Sequence, residues 1–398
     1  MDLSGSWARI PPTVAPPSLS QLTRGLGAIG WPRGYAGTLE REIQALFPEA
    51  HVGTFATGRG ALAAAIRIAM ARTGRRTVVV PGFTSFSVAG AVASVRATPR
   101  ICDVDPGTLD FDRADLRRCV DGSVAAVIVG NLFGYPSRTD DLDWVTAGGA
   151  LLVDDAAQAL GARADGAAVG GRGHLGVLSF GRGKCVTTGD GGALLVHDAE
   201  LLGDVPVAGG PNGRGVRTWM MACAVRLAAR PLLFGLMSRL PGADIGASHY
   251  ESAFDEGAAP ASVDGLAAGL GASVARQIHV RTRVAWRWFA ALEGTAGAVT
   301  IGAAPGSEPA YLRVAVLATD AGSRARTVAA LADCGMPYGQ SYPTTLARIP
   351  AFADLCDMPA AIPGAEALAA RVVALPCHEG VSDDAIARGA TAFQAQRG

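Results

Sequence analysis

Two apolar stretches of the chain lead into residues that can do chemistry. Residues 150–153 run into the paired carboxylates Asp154 and Asp155. Residues 175–180 lead to Lys184, which lies in a glycine-rich loop. Apolar runs of this length are typical of buried strands, and ligands bind at the carboxyl ends of strands in a parallel sheet. We therefore expect Asp155 and Lys184 to meet at one edge of a sheet.

A lysine and a carboxylate in this arrangement suit the chemistry of pyridoxal phosphate (PLP). The amine of Lys184 can hold the cofactor aldehyde as a Schiff base, provided that the amine is kept neutral and positioned. The carboxylate of Asp155 can keep the pyridine nitrogen protonated, so that the ring accepts electrons. A lone lysine after glycine is a weak signal, and its combination with the acidic pair is more specific.

These motifs resemble those of the DegT/DnrJ/EryC1/StrS aminotransferases, a family with the aspartate aminotransferase fold (PLP fold type I). The family pattern has an acidic pair followed by two small residues and Gln or His. A Ser-Phe-x-x-x-Lys segment comes about twenty to thirty residues later, and a Gly-acid-Gly-Gly turn follows it. The resemblance implies an α/β fold with a mostly parallel central sheet, helices on both faces and a smaller C-terminal α/β domain. The residues that carry it are Asp154, Asp155, Gln158, Ser179, Phe180, Lys184, Gly189, Asp190, Gly191 and Gly192.

A second motif, TGRG, opens an alanine-rich helix. Free backbone amides at a helix N-terminus form a ready anion site. By resemblance, this turn and Ser179 hold the cofactor phosphate, and Gln158 approaches the phenolic side of the ring. Arg59 stands where the family has threonine, so its guanidinium either contacts the phosphate or points to solvent. The residues of the expected phosphate turn are Thr57, Gly58, Arg59 and Gly60.

The aromatic residue that stacks on the cofactor is less well defined. Family members place a ring just after the proline that follows the next strand, and in direct register this position is Ser85. The resemblance therefore leaves Phe86, Phe83 or neither ring as the stacking residue. A role in the hydrophobic core is the alternative for both phenylalanines.

Four residues are candidates for substrate contacts by resemblance: Asn131, Asn212, Tyr342 and His378. Asn131 stands where the family often has histidine, and Tyr342 lies where family members approach the substrate. His378 belongs to a Leu-Pro-x-His turn near the end of the chain. For His378 a structural hydrogen-bonding role is favoured over catalysis, because most lone loop histidines are not catalytic.

The composition argues against several classes of protein. The chain has 35 Lys and Arg, 35 Asp and Glu, and no basic cluster, which argues against a nucleic-acid partner. Its seven cysteines are scattered and lack a CxxC pair, so we expect no disulfide framework, no zinc site and a cytoplasmic location. Asp103 and Asp105 are interpreted as turn and cap residues rather than metal ligands, because no third ligand lies at suitable spacing.

The chain is expected to divide into three parts. Residues 1–35 are rich in proline, which predicts an extended arm. Residues 36–260 are expected to form a large PLP-binding domain, and residues 261–398 a small C-terminal domain. The large domain carries an apolar insertion at about 216–245. Arginines and a proline interrupt this insertion, which argues against a membrane-spanning helix. We therefore favour helices that pack in the core or at a dimer contact. A helix that lies on a membrane surface is the alternative.

The resemblance implies a homodimer whose active sites lie at the subunit interface. In the family a neighbouring subunit contributes an Asn or Arg to the phosphate, but Ala261 occupies that position here. Asn212 or Ser262 is the candidate replacement.

The implied activity is transfer of an amino group from glutamate or glutamine to a ketone. The expected acceptor is a keto sugar nucleotide or a cyclitol ketone, in secondary metabolism or polysaccharide assembly. One alternative is other PLP chemistry on the same fold, such as a lyase, a decarboxylase or a C–C bond-forming enzyme, because all of these share the lysine and the aspartate. Another is a non-catalytic regulator or scaffold, and the presence of Lys184 counts against it.

Overall fold

The fold is given by a computed structural model, which describes residues 7–204, 213–239, 250–251, 253–336, 342–357 and 361–394. Strands and helices alternate through the first half of the chain, as the sequence predicts. The strands are β1 (His51–Phe55), β2 (Thr77–Pro81), β3 (Thr98–Cys102), β4 (Val124–Gly130), β5 (Leu151–Asp155), β6 (Arg163–Ala164), β7 (Ala167–Ala168), β8 (Leu175–Ser179), β9 (Gly192–Val196), β10 (Ala298–Thr300), β11 (Ser307–Glu308), β12 (Arg313–Ala318) and β13 (Val372–Pro376).

The helices lie between these strands and after them. They are α1 (Leu19–Gly30), α2 (Thr38–Leu46), α3 (Gly58–Thr73), α4 (Phe86–Ser94), α5 (Arg113–Cys119), α6 (Asp143–Ala147), α7 (Gly215–Ala228), α8 (Pro231–Met237), α9 (Ala261–Ala267), α10 (Leu270–Leu292), α11 (Ala321–Asp333), α12 (Pro350–Ala353), α13 (Pro363–Arg371) and α14 (Asp383–Gln394).

Seven strands form the central sheet in the order β1-β9-β8-β5-β4-β2-β3. The pairs from β8 to β3 are parallel, whereas β9 is antiparallel to both of its neighbours. Strand β2 illustrates why both faces are covered: Val78 and Val80 pack with residues of α3 and α4, and Val79 packs with residues of α5 and α6. This alternation, with every residue buried, is typical of a parallel sheet between two helical layers. The predicted mostly parallel fold is confirmed.

The order of the strands determines where the functional residues lie. Strands β1, β5 and β8 run in the same direction, so their carboxyl ends share one edge of the sheet. Asp155 ends β5, Ser179 ends β8, and Thr57 follows β1. A second, three-stranded antiparallel sheet, β10-β12-β13, comes from the C-terminal part of the chain.

The predicted extended arm at residues 1–35 is wrong for its second half, which forms helix α1. Ser18 caps this helix: its hydroxyl accepts a hydrogen bond from the Gln21 amide, and the Gln21 side chain accepts one from the Ser18 amide. Leu22, Gly25 and Ala28 are buried on one side of α1. A capping box followed by an apolar stripe is a helix signal, which the neighbouring prolines obscured.

The apolar insertion contains α7 and α8. Within the described residues, no single helix is long and apolar enough to span a membrane. Helices α7 and α8 pass the same test of length and composition only as a pair, and they are bent by 117° at the break between them.

Candidate active site

Strands β5 and β8 bring Asp155 and Lys184 close enough for each charge to affect the other. Burial lowers the pKa of the Lys184 amine, and the nearby Asp155 carboxylate only partly opposes this effect. Burial also raises the pKa of Asp155, which the Ala157 amide and Lys184 partly oppose. Both shifts favour the uncharged forms, because a low-dielectric site penalises charge. A neutral amine is the state in which lysine acts as a nucleophile or base.

The two neighbouring aspartates have different surroundings. Asp154 is fully buried and accepts a bidentate pair of hydrogen bonds from Arg172, at 2.8 and 2.9 Å, and a further one from the Gly170 amide at 2.7 Å. Asp155 accepts one from the Ala157 amide at 3.0 Å. Asp154 therefore holds the loop after β7, and Asp155 is the carboxylate that interacts with Lys184.

Asn131, the predicted substrate contact after β4, is engaged inside the protein. Its amide nitrogen donates to Asp154 Oδ1 and to the Asp155 carbonyl oxygen, both at 2.9 Å. Its amide oxygen accepts hydrogen bonds from Arg172, at 2.7 Å, and from the Ser137 amide, at 3.0 Å. Because Asn131 is buried and both ends of its amide are satisfied, it positions the acidic pair rather than reaching a substrate.

The N-terminus of α3 lies directly against the end of β8. Thr57 caps the helix: its hydroxyl accepts a hydrogen bond from the Gly60 amide at 3.0 Å and donates one to the Asp255 carbonyl oxygen at 2.8 Å. A Cβ atom at Gly58 would lie 2.5 Å from the Ser179 Cβ atom, so only glycine allows this approach. The first amides of a helix have no partner within it. They therefore form an anion cradle beside the Ser179 hydroxyl.

The guanidinium of Arg59 is paired within the protein. It contacts Glu251 at 2.5 Å and lies 5.2 Å from the centre of the Phe254 ring. The Arg59 side chain is 24% exposed. Arg59 therefore ties the start of α3 to the segment after the insertion, and its positive charge also helps to lower the pKa of Lys184.

Four aromatic rings cluster near Gln158. The Tyr342 ring lies 5.8 Å from Phe83, 6.1 Å from Phe86 and 6.0 Å from Phe133, with which it is nearly parallel. Gln158 donates a hydrogen bond to the Tyr342 hydroxyl at 2.9 Å and accepts one from the Phe133 amide at 3.1 Å. Both phenylalanines named from the sequence are thus buried beside a tyrosine from the C-terminal part of the chain.

Two residues in this region were not found from the sequence. Phe133 has φ of +55°, a left-handed backbone conformation that is uncommon outside glycine. Its amide orients Gln158, and the Arg313 guanidinium lies 5.9 Å from its ring centre. Arg313 also adds positive charge that lowers the pKa of Lys184, although burial has the larger effect. Neither residue belongs to a motif, and only the folded chain brings them to the lysine.

His378 has the structural role that the sequence favoured. It is fully buried, its Nε2 bonds the Pro11 carbonyl oxygen at 2.8 Å, and its Nδ1 accepts a hydrogen bond from the Gly380 amide at 3.1 Å. Burial lowers its pKa to about 4, so the ring is neutral at physiological pH. Asn212 lies outside the described residues. Ser262 is fully buried inside the subunit, which leaves its hydroxyl out of reach of a neighbouring subunit.

The cysteines are less scattered in space than in sequence. The ligand atoms of Cys102, Cys119 and Asp115 lie within 4.8 Å of one another. Asp115 Oδ2 accepts a hydrogen bond from the Asp103 amide at 2.6 Å, and its other oxygen pairs with Arg118. Burial raises the pKa of the Cys102 thiol, which keeps it protonated. Asp115 is thus already paired within the protein, and both thiols are packed in the core.

The features at the sheet edge fit pyridoxal phosphate. The amides of Gly58 and Arg59 and the Ser179 hydroxyl suit a phosphate. Lys184 supplies an amine whose pKa is lowered by burial, and Asp155 supplies a carboxylate that has free hydrogen-bonding capacity.

Comparison with known proteins agrees with this assignment. An L-glutamine:2-deoxy-scyllo-inosose aminotransferase of Micromonospora echinospora is 34% identical over 201 residues, which is 48% of this chain and 47% of that protein. A UDP-N-acetyl-3-dehydro-alpha-D-glucosamine 3-aminotransferase of Acidithiobacillus ferrooxidans is 35% identical over 168 residues, 41% of this chain and 44% of that protein. The chain thus matches about half the length of these curated relatives.

The same fold occurs among solved structures. The GDP-4-keto-6-deoxy-D-mannose-3-dehydratase of E. coli, with bound hydrated PLP, superposes with a TM-score of 0.76 over 97% of this chain and 99% of that one, at 14% identity. The sequence profile of the DegT/DnrJ/EryC1/StrS aminotransferase family matches residues 33–207 and 268–394. The chain belongs to the DegT/DnrJ/EryC1/StrS aminotransferase family.

Proposed function

We propose that this protein is a PLP-dependent aminotransferase that moves an amino group from glutamate or glutamine to a ketone. The proposed acceptor is a keto sugar nucleotide or a cyclitol ketone, because the two relatives described above are named for substrates of these kinds. The observation that carries the proposal is a lysine whose pKa is lowered by burial, next to Asp155 and beside a helix N-terminus that suits a phosphate. We also propose a cytoplasmic homodimer as the working form.

Each residue has a definite task in this proposal. When bound, PLP supplies an electron sink for the amino-group carbon. Lys184 Nζ, whose pKa is lowered by burial, would take a proton from the Cα atom of the amino donor in the first half-reaction. In the second half-reaction it would give a proton to the ketone carbon that becomes the amine-bearing carbon of the product. Asp155 holds a proton at the ring nitrogen. The amides at the start of α3 and the Ser179 hydroxyl hold the phosphate.

In this proposal the Gln158 side chain contacts the phenolic side of the PLP ring. Its amide is fixed at both ends, by the Phe133 amide and the Tyr342 hydroxyl, so it presents a defined edge to a bound ring. The buried rings of Phe83, Phe86, Phe133 and Tyr342 exclude water from this side of the site. Exclusion of water strengthens the charge interactions on which the proton transfers depend.

A half-reaction tests the proposed chemistry. Purified protein should be yellow, and borohydride should bleach it and attach the cofactor to the peptide that contains Lys184, as mass spectrometry would show. L-Glutamate or L-glutamine should then convert the visible band of unreduced protein to that of the amine form of the cofactor. A protein that is yellow and reducible but unchanged by every amino donor would instead support a lyase, a decarboxylase or a C–C bond-forming enzyme.

Gly58→Ala should weaken PLP binding by about ten- to a hundredfold. The added Cβ would lie 2.5 Å from the Ser179 Cβ and force the start of α3 away from β8, an overpacking effect of about 1–3 kcal/mol. Fluorescence titration of the cofactor-free protein with PLP measures the effect. Gly30→Ala is the matched control, because a Cβ there meets nothing within 4 Å. Equal affinities for the two variants would contradict the proposed phosphate cradle.

A further inference from the structure

The buried face of helix α10 contains one charged residue. Residues of this face recur at intervals of three and four, which is the spacing of one helical stripe. The members of the stripe are Leu270, Val274, Gln277, Arg281, Val284, Ala285, Trp288 and Leu292. The pattern predicts an apolar residue at position 281, but Arg281 occupies it and is 0% exposed. Arginine is almost never fully buried unless it is paired.

The Arg281 guanidinium has few partners for a buried charge. In the described part of the chain no carboxylate pairs with it, and its Nε and Nη1 atoms have no hydrogen-bond partner. A guanidinium stays charged in proteins, so its removal from water costs free energy that these surroundings do not return. A buried group left in this state needs an explanation other than packing.

The ionisable groups next to Arg281 do not neutralise its charge. Burial raises the pKa of the Cys185 thiol and raises that of Cys377 to about 12, and Arg281 only partly opposes these effects. Burial and the Arg281 charge both lower the pKa of His378, to about 4. Near pH 7 both thiols and the imidazole are therefore uncharged. The region around Arg281 thus carries a net positive charge.

Arg281 contacts the loop that contains Lys184. Its Nη2 atom donates a hydrogen bond to the Lys184 carbonyl oxygen at 3.4 Å. The same guanidinium interacts with Cys185, whose thiol donates a hydrogen bond to the Gln158 carbonyl oxygen at 3.1 Å. Arg281 therefore connects α10 with the Lys184 loop, and through Cys185 with the loop that follows β5.

The Lys184 loop has little packing of its own. Arg182 is exposed, and Gly183 and Lys184 are partly exposed. Gly183 has φ of +72°, a conformation that favours glycine. Burial is nevertheless the main cause that lowers the pKa of the Lys184 amine. An outward movement of the loop would hydrate the amine and raise its pKa, so the position of the loop matters.

We propose that Arg281 is a positioning residue, which holds the Lys184 backbone so that the amine keeps its place near Asp155. The guanidinium acts through the Lys184 carbonyl, and it is too deeply buried to reach a substrate itself. A residue that served packing alone would be apolar, because a hydrophobic side chain of similar volume is as stable as a buried ion or more stable. The expected effect on rate rests on the proposed function, whereas the effect on the amine does not.

The pKa of Lys184 in the cofactor-free protein tests the proposal. Lys184 is the only lysine in the sequence, so acetic anhydride labels one side-chain amine, and mass spectrometry of its peptide follows labelling against pH. Arg281→Met should raise this pKa by about one pH unit, because the released loop exposes the amine to water. Other groups that act on the amine, namely Asp155, Cys185, Arg59 and Arg313, are unchanged in the variant.

Further measurements on Arg281→Met separate positioning from other roles. Hydrogen exchange of the peptide 181–188 should be about tenfold faster, because the loop opens more often. The half-reaction with L-glutamate should be about ten- to a hundredfold slower, through misplacement of the amine. The midpoint of urea unfolding should equal that of wild type or exceed it. Arg283→Met is the matched control, because Arg283 is exposed on the same helix, and it should match wild type in every measurement.

The outcomes distinguish this proposal from the proposed function. Unchanged labelling and exchange in Arg281→Met would overturn the positioning role. A higher pKa without faster exchange would also overturn it, because loss of the charge alone would then explain the result. If Arg281→Met does not fold, Arg281→Gln replaces it with the same expectations, and unfolding of both variants would assign Arg281 to the fold instead. If the loop responds as expected but wild-type protein reacts with no amino donor, the proposed function fails and the positioning role stands.

Discussion

Lys184→Ala is expected to slow the half-reaction with L-glutamine or L-glutamate by about 10⁴-fold or more. Lys184 is only partly exposed, and burial is the main cause that lowers the pKa of its amine. It is therefore the group near Asp155 that can both hold the cofactor covalently and move a proton. Alanine offers neither function. Stopped-flow absorbance after mixing with the amino donor measures the rate, and borohydride reduction of the variant should attach no cofactor.

A neighbouring residue of the same loop provides the control. Arg182→Gln removes an exposed side chain two residues before the lysine and should leave the rate close to that of wild type. If Lys184→Ala protein still carries a reducible cofactor and reacts like wild type, no lysine does the chemistry. Because Lys184 is the only lysine in the sequence, that result would overturn the assignment of PLP itself.

The sequence predicted the central part of this site because the signal is local. Asp155 and Lys184 each follow a short apolar strand, and parallel strands end at one edge of a sheet. The TGRG turn predicted a helix N-terminus beside that edge, and Gly58 does pack against Ser179 there. In each case the residue type and its position at the end of an element were enough to predict where it lies.

Contacts between distant segments could not be predicted in this way. Asn131 seemed able to reach a substrate, but Arg172, which follows a different strand, binds it together with Asp154. Arg59 pairs with Glu251, almost two hundred positions along the chain. Tyr342 reaches Gln158 from the C-terminal part of the chain. Such partners depend on the packing of separate elements, and neither spacing nor composition records that packing.

Asp155→Asn is expected to slow the same half-reaction by about 10²–10³-fold, the usual cost of removing one electrostatic group aimed at a reacting centre. Asparagine cannot carry the negative charge that keeps a proton on the ring nitrogen. The variant should not be less stable than wild type. Burial raises the pKa of Asp155, so the free energy of unfolding of the wild-type protein falls as the pH rises through the range where this carboxyl ionises.

The free energy of unfolding of Asp155→Asn should not fall with rising pH in this way. Urea unfolding of the cofactor-free protein at several pH values would measure the difference. Asp154→Asn is the matched control, and it should show the opposite pattern: a lower free energy of unfolding with little change in the rate of the half-reaction. Asp154 is buried and binds Arg172, so its loss leaves an unpaired buried guanidinium and should lower the free energy of unfolding by about 3–5 kcal/mol. If both variants lose stability equally and react alike, the two carboxylates do not have separate roles. The distinct results expected here would assign the positioning of the loop to Asp154 and the chemistry to Asp155.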